Sequence, residues 1–561
     1  MPFNYQIVKR ALSIEKAGKW LSRDSSDDFF PDVLDFRDVT DLIDDYLVQR
    51  QHKMLQVDSF PHVADYVPKA SGMIREVIWL HPVHRLLYLS VLHYLLPKLD
   101  HHLPPEVYSY RRDVEDNDDY PFPKKMDRWR DFHNDFRIGC SDDQTNAVLV
   151  TDIASFYDHI KIEDLSSRIR ALLGAGATDE DLEVVNFLET LLKQWSTDGH
   201  GIPQNVDASS FFGSLFLSGV DREIIGKRYR YFRWVDDIRI CARNRKQALR
   251  ALHDLQNALL HHKMFLASDK TKIIERGSED FERLLDVSDD AHLSRIEDVI
   301  ARASKDELKK EIPKAMERLE FHASSEGDDR KFRAFANRLL QVSEYKEFHD
   351  RVVESVVPFV LNRLESHPDK TDYWSKMLQV GRIDQWKDMV DKLLRTDASV
   401  YNWQRFHLWR LVTSADSLSE ELKICARSAI NNPISDLEAY QAIICLGKHG
   451  DAQDRENLFV EFYSGQRSYP IQRALLIAIQ ELHSDLRDKF YQRALNTSLE
   501  HTQLVEYLKA QDTPKYGIRV RPTRELPSEP RLIKPVLLRG VGKIRGEVVR
   551  YRLARADYDY E

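Results

Sequence analysis

The chain has 561 residues, of which 42% are hydrophobic and 31% are charged. This balance is typical of a soluble globular protein, and the length allows two to four domains. The segment from Met1 to Lys19 is polar, and no run of about 18 apolar residues occurs, so neither a signal peptide nor a membrane span is predicted. The four cysteines have no paired spacing, which argues against a disulfide scaffold or zinc ribbon and favours a cytoplasmic protein.

The net charge of −9 is unevenly distributed along the chain. The segment from Lys515 to Ala556 contains twelve Lys or Arg residues and three Glu residues, so it carries +9 and the remainder carries −18. A basic segment on an acidic body is typical of a contact with a phosphate backbone or of an intramolecular clamp. A solvated tail is the alternative interpretation.

Strand and helix patterns alternate over residues 1–290, which we predict to form one α/β domain. In chain order the patterns predict a strand at 74–79, a helix at 84–96 that Pro97 ends, a strand around Asp152, helices at 179–195 and 208–219, a hairpin around Asp236, a helix at 245–262 and a strand at 266–274.

Beyond residue 290 the strand patterns disappear from the sequence. Apolar residues recur at spacings of three and four, and short breaks such as 447–450 separate segments of helical length. We predict an all-α, HEAT-like repeat domain over residues 291–510, in which the repeats have no fixed period. Residues 511–561 are predicted to form a basic C-terminal arm.

Two apolar, strand-like segments carry carboxylates where burial is costly. Residues 148–157 contain Asp152, and residues 231–240 contain Asp236 and Asp237. An unpaired buried carboxylate costs several kcal/mol, so such groups usually bind a cation. Oxygen ligands of this kind suit Mg²⁺, and a pair of such ions activates an attacking oxygen and stabilises the leaving one. The segments therefore predict a two-metal site for nucleotidyl transfer, in which Mn²⁺ is able to replace Mg²⁺.

Other polar and aromatic residues accompany these aspartates in a characteristic order along the chain. They are Lys69, Arg75, Tyr157, a turn of Ile202-Pro203-Gln204 that opens a helix, Lys270 and Lys272. Each of these features alone is weak evidence, but chance rarely produces all of them in this order.

This order resembles that of the reverse transcriptases over residues 60–280. Their palm carries the first Asp, a steric-gate aromatic residue and a (Tyr/Phe)-x-Asp-Asp turn, and their fingers supply cations. The resemblance implies a fold with reverse-transcriptase-like α/β fingers and palm. It also implies a Mg-dependent nucleotidyltransferase that polymerises dNTPs.

The resemblance assigns the metal-binding residues. Asp152 and Asp236 would bind both metal ions, and Asp237 would be a weaker ligand or an orienting charge. The backbone carbonyl of Ile153 would complete the ligand shell. All three aspartates are therefore the predicted catalytic residues.

The predicted nucleotide-binding residues are Lys69, Arg75, Tyr157, Gln204 and Lys270. Lys69 and Arg75 would neutralise the triphosphate. Tyr157 would lie under the sugar and exclude a 2′-hydroxyl, and Gln204 would touch the base or the sugar. Lys270 would protonate the pyrophosphate leaving group, with Lys272 as the competing residue.

The sequence departs from ordinary reverse transcriptases in three ways. Asn205-Val206-Asp207 replaces the Gly-Ser-Pro that follows their Gln, Trp234 replaces the Tyr of their catalytic turn, and a long helical region stands in place of a thumb. Small residues after the Gln let a template strand approach, and the larger side chains here would fill that space.

This combination is similar to the abortive-infection (Abi) polymerases of bacteria and prophages. That group implies untemplated DNA synthesis primed by a hydroxyl of the protein itself, with single-stranded DNA left attached to a homo-oligomer. The priming candidates are Tyr5, Tyr46, Tyr551, Tyr558 and Tyr560, and serines also qualify.

Two alternatives stay open at this point: a templated RNA-dependent DNA polymerase, and a catalytically silent oligomeric scaffold. The sequence also leaves open the size of the oligomer, the nucleotide preference and the phage component that acts as trigger.

Overall fold

The computed structural model describes residues 3–43, 51, 54–55, 60–112, 120–123, 125–324, 327–396, 398–431, 433–463, 467–497, 501–517 and 522–526, and the backbone of 538–544 and 547–553. The first part of the chain contains short helices, a β-hairpin and a long helix. These elements are α1 (Tyr5–Ala11), α2 (Ile14–Asp24), α3 (Arg37–Thr40), β1 (His62–Pro68), β2 (Ile74–Leu80) and α4 (Pro82–Leu99).

Helix α4 departs from the prediction at its C-terminal end. Pro97 lies inside the helix, which continues to Leu99 instead of ending before the proline. A proline removes one backbone hydrogen bond, but α4 is buried along most of its length, so tertiary packing offsets that loss.

The next part of the chain builds a sheet covered by helices. Its elements are α5 (Lys125–Ser141), β3 (Ala147–Asp152), α6 (Ile162–Leu173), α7 (Asp179–Trp195), α8 (Asp207–Gly226), β4 (Arg230–Trp234), β5 (Asp237–Ala242), α9 (Arg245–Leu260) and β6 (Lys272–Glu275). The strands are antiparallel in the order β4-β5-β3-β6.

Strand β3 lies in the interior of this sheet because both of its faces are apolar. Val148 belongs to a core with Phe132 and Phe136 of α5. Leu149, which points to the opposite face, belongs to a different core with Leu255 of α9. Asp152, the last residue of β3, therefore lies at the end of an interior strand.

The chain after β6 is almost entirely helical up to residue 509. The helices are α10 (Glu279–Leu285), α11 (Ser288–Ala301), α12 (Lys305–Ala323), α13 (Asp329–Ser343), α14 (His349–Leu361), α15 (Thr371–Leu378), α16 (Ile383–Arg395), α17 (Asn402–Thr413), α18 (Glu420–Asn431), α19 (Asp436–His449), α20 (Ala452–Phe462), α21 (Tyr469–Ala478), α22 (Ser484–Thr497) and α23 (Thr502–Lys509).

These helices share one large core, and helices that are two apart in chain order pack against each other. Helix α19 lies between α17 and α21, and Trp374, Trp403 and Trp409 are fully buried in this core. The domain boundaries at 290 and 510 and the HEAT-like repeat stay predictions. Within the described residues, no helix combines the length and the apolar character that a bilayer crossing demands.

The C-terminal arm returns to the first part of the chain. Strands β7 (Leu538–Ile544) and β8 (Glu547–Leu553) form an antiparallel hairpin, and β7 lies against α5 and α10. The basic arm therefore contacts a helix that also covers the β3 sheet.

Residues 24–38, which we call the N-terminal strap, join the β-sheet part of the protein to the helical region. On the helical side, Arg473 of α21 forms ion pairs with Asp32 at 2.8 Å and with Asp38 at 2.7 Å, and all three side chains are fully buried. Trp403 Nε1 donates a hydrogen bond to the Phe29 carbonyl at 2.8 Å.

On its other side the strap is bound to α4. Arg85 Nε donates to Asp24 Oδ2 at 2.6 Å, and Arg85 Nη1 donates to Asp28 Oδ2 at 2.5 Å. Burial raises the pKa of Asp28 to about 7 in spite of the opposing charge of Arg85. Buried arginines therefore fix both ends of the strap.

Replacing Arg473 by Met is expected to destabilise the protein by about 3–5 kcal/mol, because two buried carboxylates lose their partner. Arg382→Met is the control, because Arg382 forms an exposed pair with Asp384 and its loss is expected to leave the stability nearly unchanged. The melting temperature of both variants is measured by circular dichroism. An unchanged melting temperature in Arg473→Met would show that this pair does not hold the strap.

Candidate active site

The three predicted catalytic aspartates meet at the ends of β3 and β5. Asp152 lies opposite Asp237 in the ladder between these strands, and Asp237 lies opposite Trp234 in the β4–β5 hairpin. Asp236 occupies the hairpin turn, and its carbonyl accepts a hydrogen bond from the Ile153 N–H at 3.1 Å. The fold thus brings together residues that are far apart in sequence.

The turn that carries Asp236 is held in a strained conformation. Val235 has a φ of 54°, which is costly for a β-branched residue. Its N–H donates to Ser109 Oγ at 2.9 Å, and its carbonyl accepts from Arg233 Nη1 at 2.7 Å. Arg233 is itself buried and paired with Asp221 at 2.7 Å. This network fixes the direction of the catalytic turn.

The carboxylates in this site repel one another. Burial, followed by the charge of Asp152, raises the pKa of Asp236 to about 7. Burial also raises the pKa of Asp152, although Lys270 Nζ donates to Asp152 Oδ2 at 2.8 Å and favours its ionised form. Asp237 is paired with Arg239 at 3.1 Å. The site therefore holds more negative charge than its neighbouring cations neutralise.

The chemistry of these residues fits divalent metal ions. Within the described residues, no three His, Cys, Asp or Glu side chains converge as a ready metal cage. The carboxylates of Asp152 and Asp236 are hard oxygen donors, and their mutual repulsion is the feature that a bound Mg²⁺ would relieve. The role of the Ile153 carbonyl stays a prediction.

Lys270 is placed at the catalytic aspartates, as its ion pair with Asp152 shows. The loop that carries it is attached to the end of β3, because Ala267 N–H donates to the Asp152 carbonyl at 2.8 Å and the hydroxyls of Thr151 and Thr271 are 2.7 Å apart. Lys272, the competing residue, begins β6 and is exposed.

Tyr157 lies half-buried beside the aspartates, and its hydroxyl is 2.8 Å from Ser210 Oγ. Burial raises the pKa of Tyr157, and the charge of Asp236 adds to this increase, whereas Lys125 and Arg75 oppose it. Tyr157 is therefore within electrostatic reach of both Asp236 and these cations. The role of Tyr157 under a bound nucleotide stays a prediction.

Lys69 lies in a turn that contacts the helical region. It belongs to the β1–β2 turn, where Tyr401 of the helical region donates a hydrogen bond to the Gly72 carbonyl at 2.9 Å. It lines a cavity of about 340 Å³ together with His367 and Lys370. In the described part of the chain, no contact joins Lys69 to the aspartates.

Gln204 and the residues after it contact other parts of the chain. Gln204 Nε2 donates to Asp158 Oδ1 at 2.7 Å. Asn205 has a φ of 61°, and its side chain donates to the Asp27 carbonyl of the strap at 2.7 Å. Asp207 N–H donates to Asp24 Oδ1 at 2.8 Å.

The structure describes two of the five priming candidates in part. Tyr5 is half-buried in α1, which packs against α7, and its hydroxyl accepts a hydrogen bond from Gln6 Nε2 at 2.5 Å. Tyr551 lies in β8, for which only the backbone is described. Tyr46, Tyr558 and Tyr560 lie outside the described residues.

Two residues near the site were not identified from the sequence. Lys125 pairs with Asp207 at 3.1 Å and lies within electrostatic reach of Tyr157. Arg330 of α13 places its guanidinium 3.6 Å from the centre of the Trp129 ring. Nothing in the local sequence marks either residue, because only the tertiary fold brings them to the aspartates.

Comparison with known proteins identifies the family of this part of the chain. Residues 68–309 match the family of reverse transcriptases (RNA-dependent DNA polymerases). The chain therefore carries a reverse transcriptase domain, which is a nucleotidyltransferase of polymerase type, as the order of motifs predicted. No curated protein matches the chain.

Solved structures include one similar over much of the chain. It is a telomerase from Candida albicans in complex with a fragment of telomeric RNA, at 10% identity and a TM-score of 0.29. The match covers 82% of this chain and 66% of the telomerase chain.

Replacing Asp236 by Asn is expected to lower nucleotide incorporation about a thousandfold or more, because several kcal/mol of metal-dependent stabilisation is lost. The same change removes the repulsion with Asp152, so the melting temperature is expected to stay constant or rise. Asp143→Asn, at an exposed position, is the matched control. Incorporation of labelled nucleotide and thermal melting are measured together, and full activity in Asp236→Asn would contradict the assignment.

Proposed function

We propose that the protein is a template-independent, protein-primed DNA polymerase of reverse-transcriptase type that acts in abortive-infection defence against phage in the bacterial cytoplasm. The reverse transcriptase domain and its three aspartates support the polymerase chemistry. The observation that carries template independence is the contact between the 202–207 turn and the N-terminal strap.

The strap occupies the space beside this turn. Asn205 reaches the Asp27 carbonyl, and the backbone of Asp207 reaches the Asp24 carboxylate. Arg85 joins the two segments, because it binds Asp24 and Asp28 and its Nη2 donates to the Asn205 carbonyl at 3.5 Å. A template strand that approached the turn would have to displace this part of the chain.

The charge of this region also disfavours a template. Burial, followed by the charges of Asp24 and Asp27, raises the pKa of Asp207 well above its usual range. Arg85 is paired with Asp24 and Lys125 with Asp27, whereas a further cation, Arg23, lies over the Tyr120 ring. A template phosphate placed here would face the negative charges of Asp24 and Asp27.

The reaction follows from the residues at the site. The attacking hydroxyl forms a bond to the α-phosphorus of the dNTP, the bond to the bridging oxygen breaks, and pyrophosphate leaves. Asp152 and Asp236, with Asp237 beside them, would hold Mg²⁺ or Mn²⁺, which would supply charge neutralisation and activate the hydroxyl. Arg75 would contact the triphosphate, and Lys270 would donate a proton to the leaving pyrophosphate.

We assign the remaining properties on the resemblance to the Abi polymerases. The helical region would take the place of a thumb as a HEAT-like domain, the protein would form a homo-oligomer, and the single-stranded DNA product would stay attached to a Tyr or Ser. Lys69, together with Arg75, would neutralise the triphosphate.

The test is incubation of the nucleic-acid-free protein with Mg²⁺ and each labelled dNTP, without primer or template, followed by denaturing electrophoresis. A label that stays on the polypeptide, grows in size and is absent in Asp236→Asn is the expected result. Mass spectrometry of the labelled peptide then identifies the priming residue.

The second candidate is templated synthesis, which the family description as RNA-dependent DNA polymerases favours. Incorporation only after an RNA template and a primer are supplied would replace our proposal by this candidate. No nucleotide incorporation, either with or without a template, would favour the scaffold interpretation.

Replacing Tyr157 by Ala is expected to raise incorporation of NTPs relative to dNTPs about tenfold or more, because the ring would no longer exclude a 2′-hydroxyl. A tenfold change in this ratio corresponds to about 1.4 kcal/mol of lost discrimination between dNTPs and NTPs. Tyr157→Phe keeps the ring but loses the contact with Ser210, so it is the matched control and is expected to keep the preference. Equal preference in wild type and Tyr157→Ala would contradict the steric-gate role.

A further inference from the structure

The helical region contributes one side chain to the neighbourhood of the catalytic aspartates. Helix α13 begins at Asp329, and its N-cap is Asp328. Arg330, in its first turn, stacks on Trp129 of α5 at 3.6 Å. Trp129 packs edge-on against Trp234, with ring centres 5.1 Å apart. A chain of contacts therefore leads from α13 to the residue that pairs with Asp237.

Arg330 also interacts with the aspartates through its charge. Desolvation lowers the pKa of Arg330, and the charges of Asp237, Asp328 and Asp236 oppose this change. The charge of Arg330 in turn favours the ionised form of Asp152. One guanidinium thus acts on all three carboxylates.

Arg330 is an exposed residue, although one face of its guanidinium is covered by the Trp129 ring. Among the described residues, no carboxylate forms an ion pair with it, whereas its neighbour Lys331 is bound to Asp289 at 2.8 Å and Arg239 is bound to Asp237. Arg330 is close enough to influence the aspartates but is not joined to them. A planar guanidinium binds phosphate through paired hydrogen bonds, so Arg330 has the chemistry to bind a negatively charged group near the aspartates.

The position of Arg330 indicates which phosphate this is. Tyr157 lies against α8, because its hydroxyl contacts Ser210, whereas Arg330 lies against Trp129 of α5. The attacking and leaving oxygens lie roughly in line in phosphoryl transfer. If the nucleotide binds beside Tyr157, the attacking hydroxyl and the strand that carries it enter from the opposite side.

We propose that Arg330 binds a backbone phosphate of the growing DNA strand, so that the helical region holds the strand end at the catalytic aspartates. This inference rests on the proposed polymerase function and adds a substrate-binding residue to it. The first nucleotide joined to a protein hydroxyl has no strand phosphate behind it, so Arg330 would act in elongation and not in initiation.

Strand binding is tested without catalysis, in the inactive Asp236→Asn background. A labelled single-stranded oligothymidylate is titrated into full-length Asp236→Asn and into Asp236→Asn/Arg330→Gln, with fluorescence polarisation as the readout. Loss of Arg330 is expected to weaken binding about tenfold and to lower the slope of log K against log salt by about 0.7, as for one phosphate contact on a single strand. Arg330→Lys should recover part of the affinity, and Arg351→Gln, at an exposed position of the same region, should leave it unchanged.

Catalysis distinguishes the strand from the nucleotide as the source of the phosphate. In active protein, Arg330→Gln is expected to keep the rate of first-nucleotide addition and to shorten the products, with an unchanged KM for dNTP. A higher KM at the first addition would instead assign Arg330 to the triphosphate and overturn the proposal. Unchanged oligonucleotide affinity in the inactive background would overturn it as well, whether or not template-free synthesis is observed.

Discussion

The arrangement of this protein depends on buried ion pairs at both ends of one short segment. Arg473 binds Asp32 and Asp38 on the helical side, and Arg85 binds Asp24 and Asp28 on the side of the polymerase fold. A buried ion pair adds little net stability, but removing one partner is costly because a buried charge is left alone. The N-terminal strap is therefore fixed in one position, and the helical region is held against the reverse transcriptase domain.

Two features of the active site follow from this attachment. The strap contacts the 202–207 turn through Asn205 and Asp207, where a template would otherwise approach. The helical region that the strap holds in place carries Arg330, which lies beside the catalytic turn. Under the proposed function, the strap would account both for the exclusion of a template and for a cation beside the growing strand. A polymerase without a template would have no duplex to hold its strand end, so a protein contact would be needed instead.

The sequence was sufficient to predict the strands that carry Asp152, Asp236 and Asp237, and the structure brings these three residues together. Their signal is local, because an apolar strand with a carboxylate at its end can be recognised from ten residues around Asp152 or Asp236. The end of α4 was predicted wrongly, since Pro97 breaks helices on average but the burial of this helix outweighs that preference. Arg233, Asp221 and Arg330 were missed because their partners are set by tertiary packing and leave no periodic pattern. The contact of the Lys69 turn with Tyr401, over three hundred residues away, was not predicted for the same reason, and the role of Lys69 at the nucleotide stays a prediction.

Asp152, Asp236 and Asp237 lie close together although their mutual repulsion lowers the stability of the protein. Asp152 and Asp236 destabilise one another, and Lys270 offsets only part of that repulsion through its ion pair with Asp152. A scaffold would gain stability by losing either aspartate, whereas a polymerase requires both to bind metal ions. The strained φ of Val235, held by Ser109 and Arg233, leads to the same conclusion, since strain of this kind persists where the direction of a side chain matters. The repulsion and the strain therefore lower the stability of the protein at the site where catalysis by a reverse transcriptase domain needs this arrangement. The buried ion pairs of the strap hold the helical region in a fixed position relative to this site.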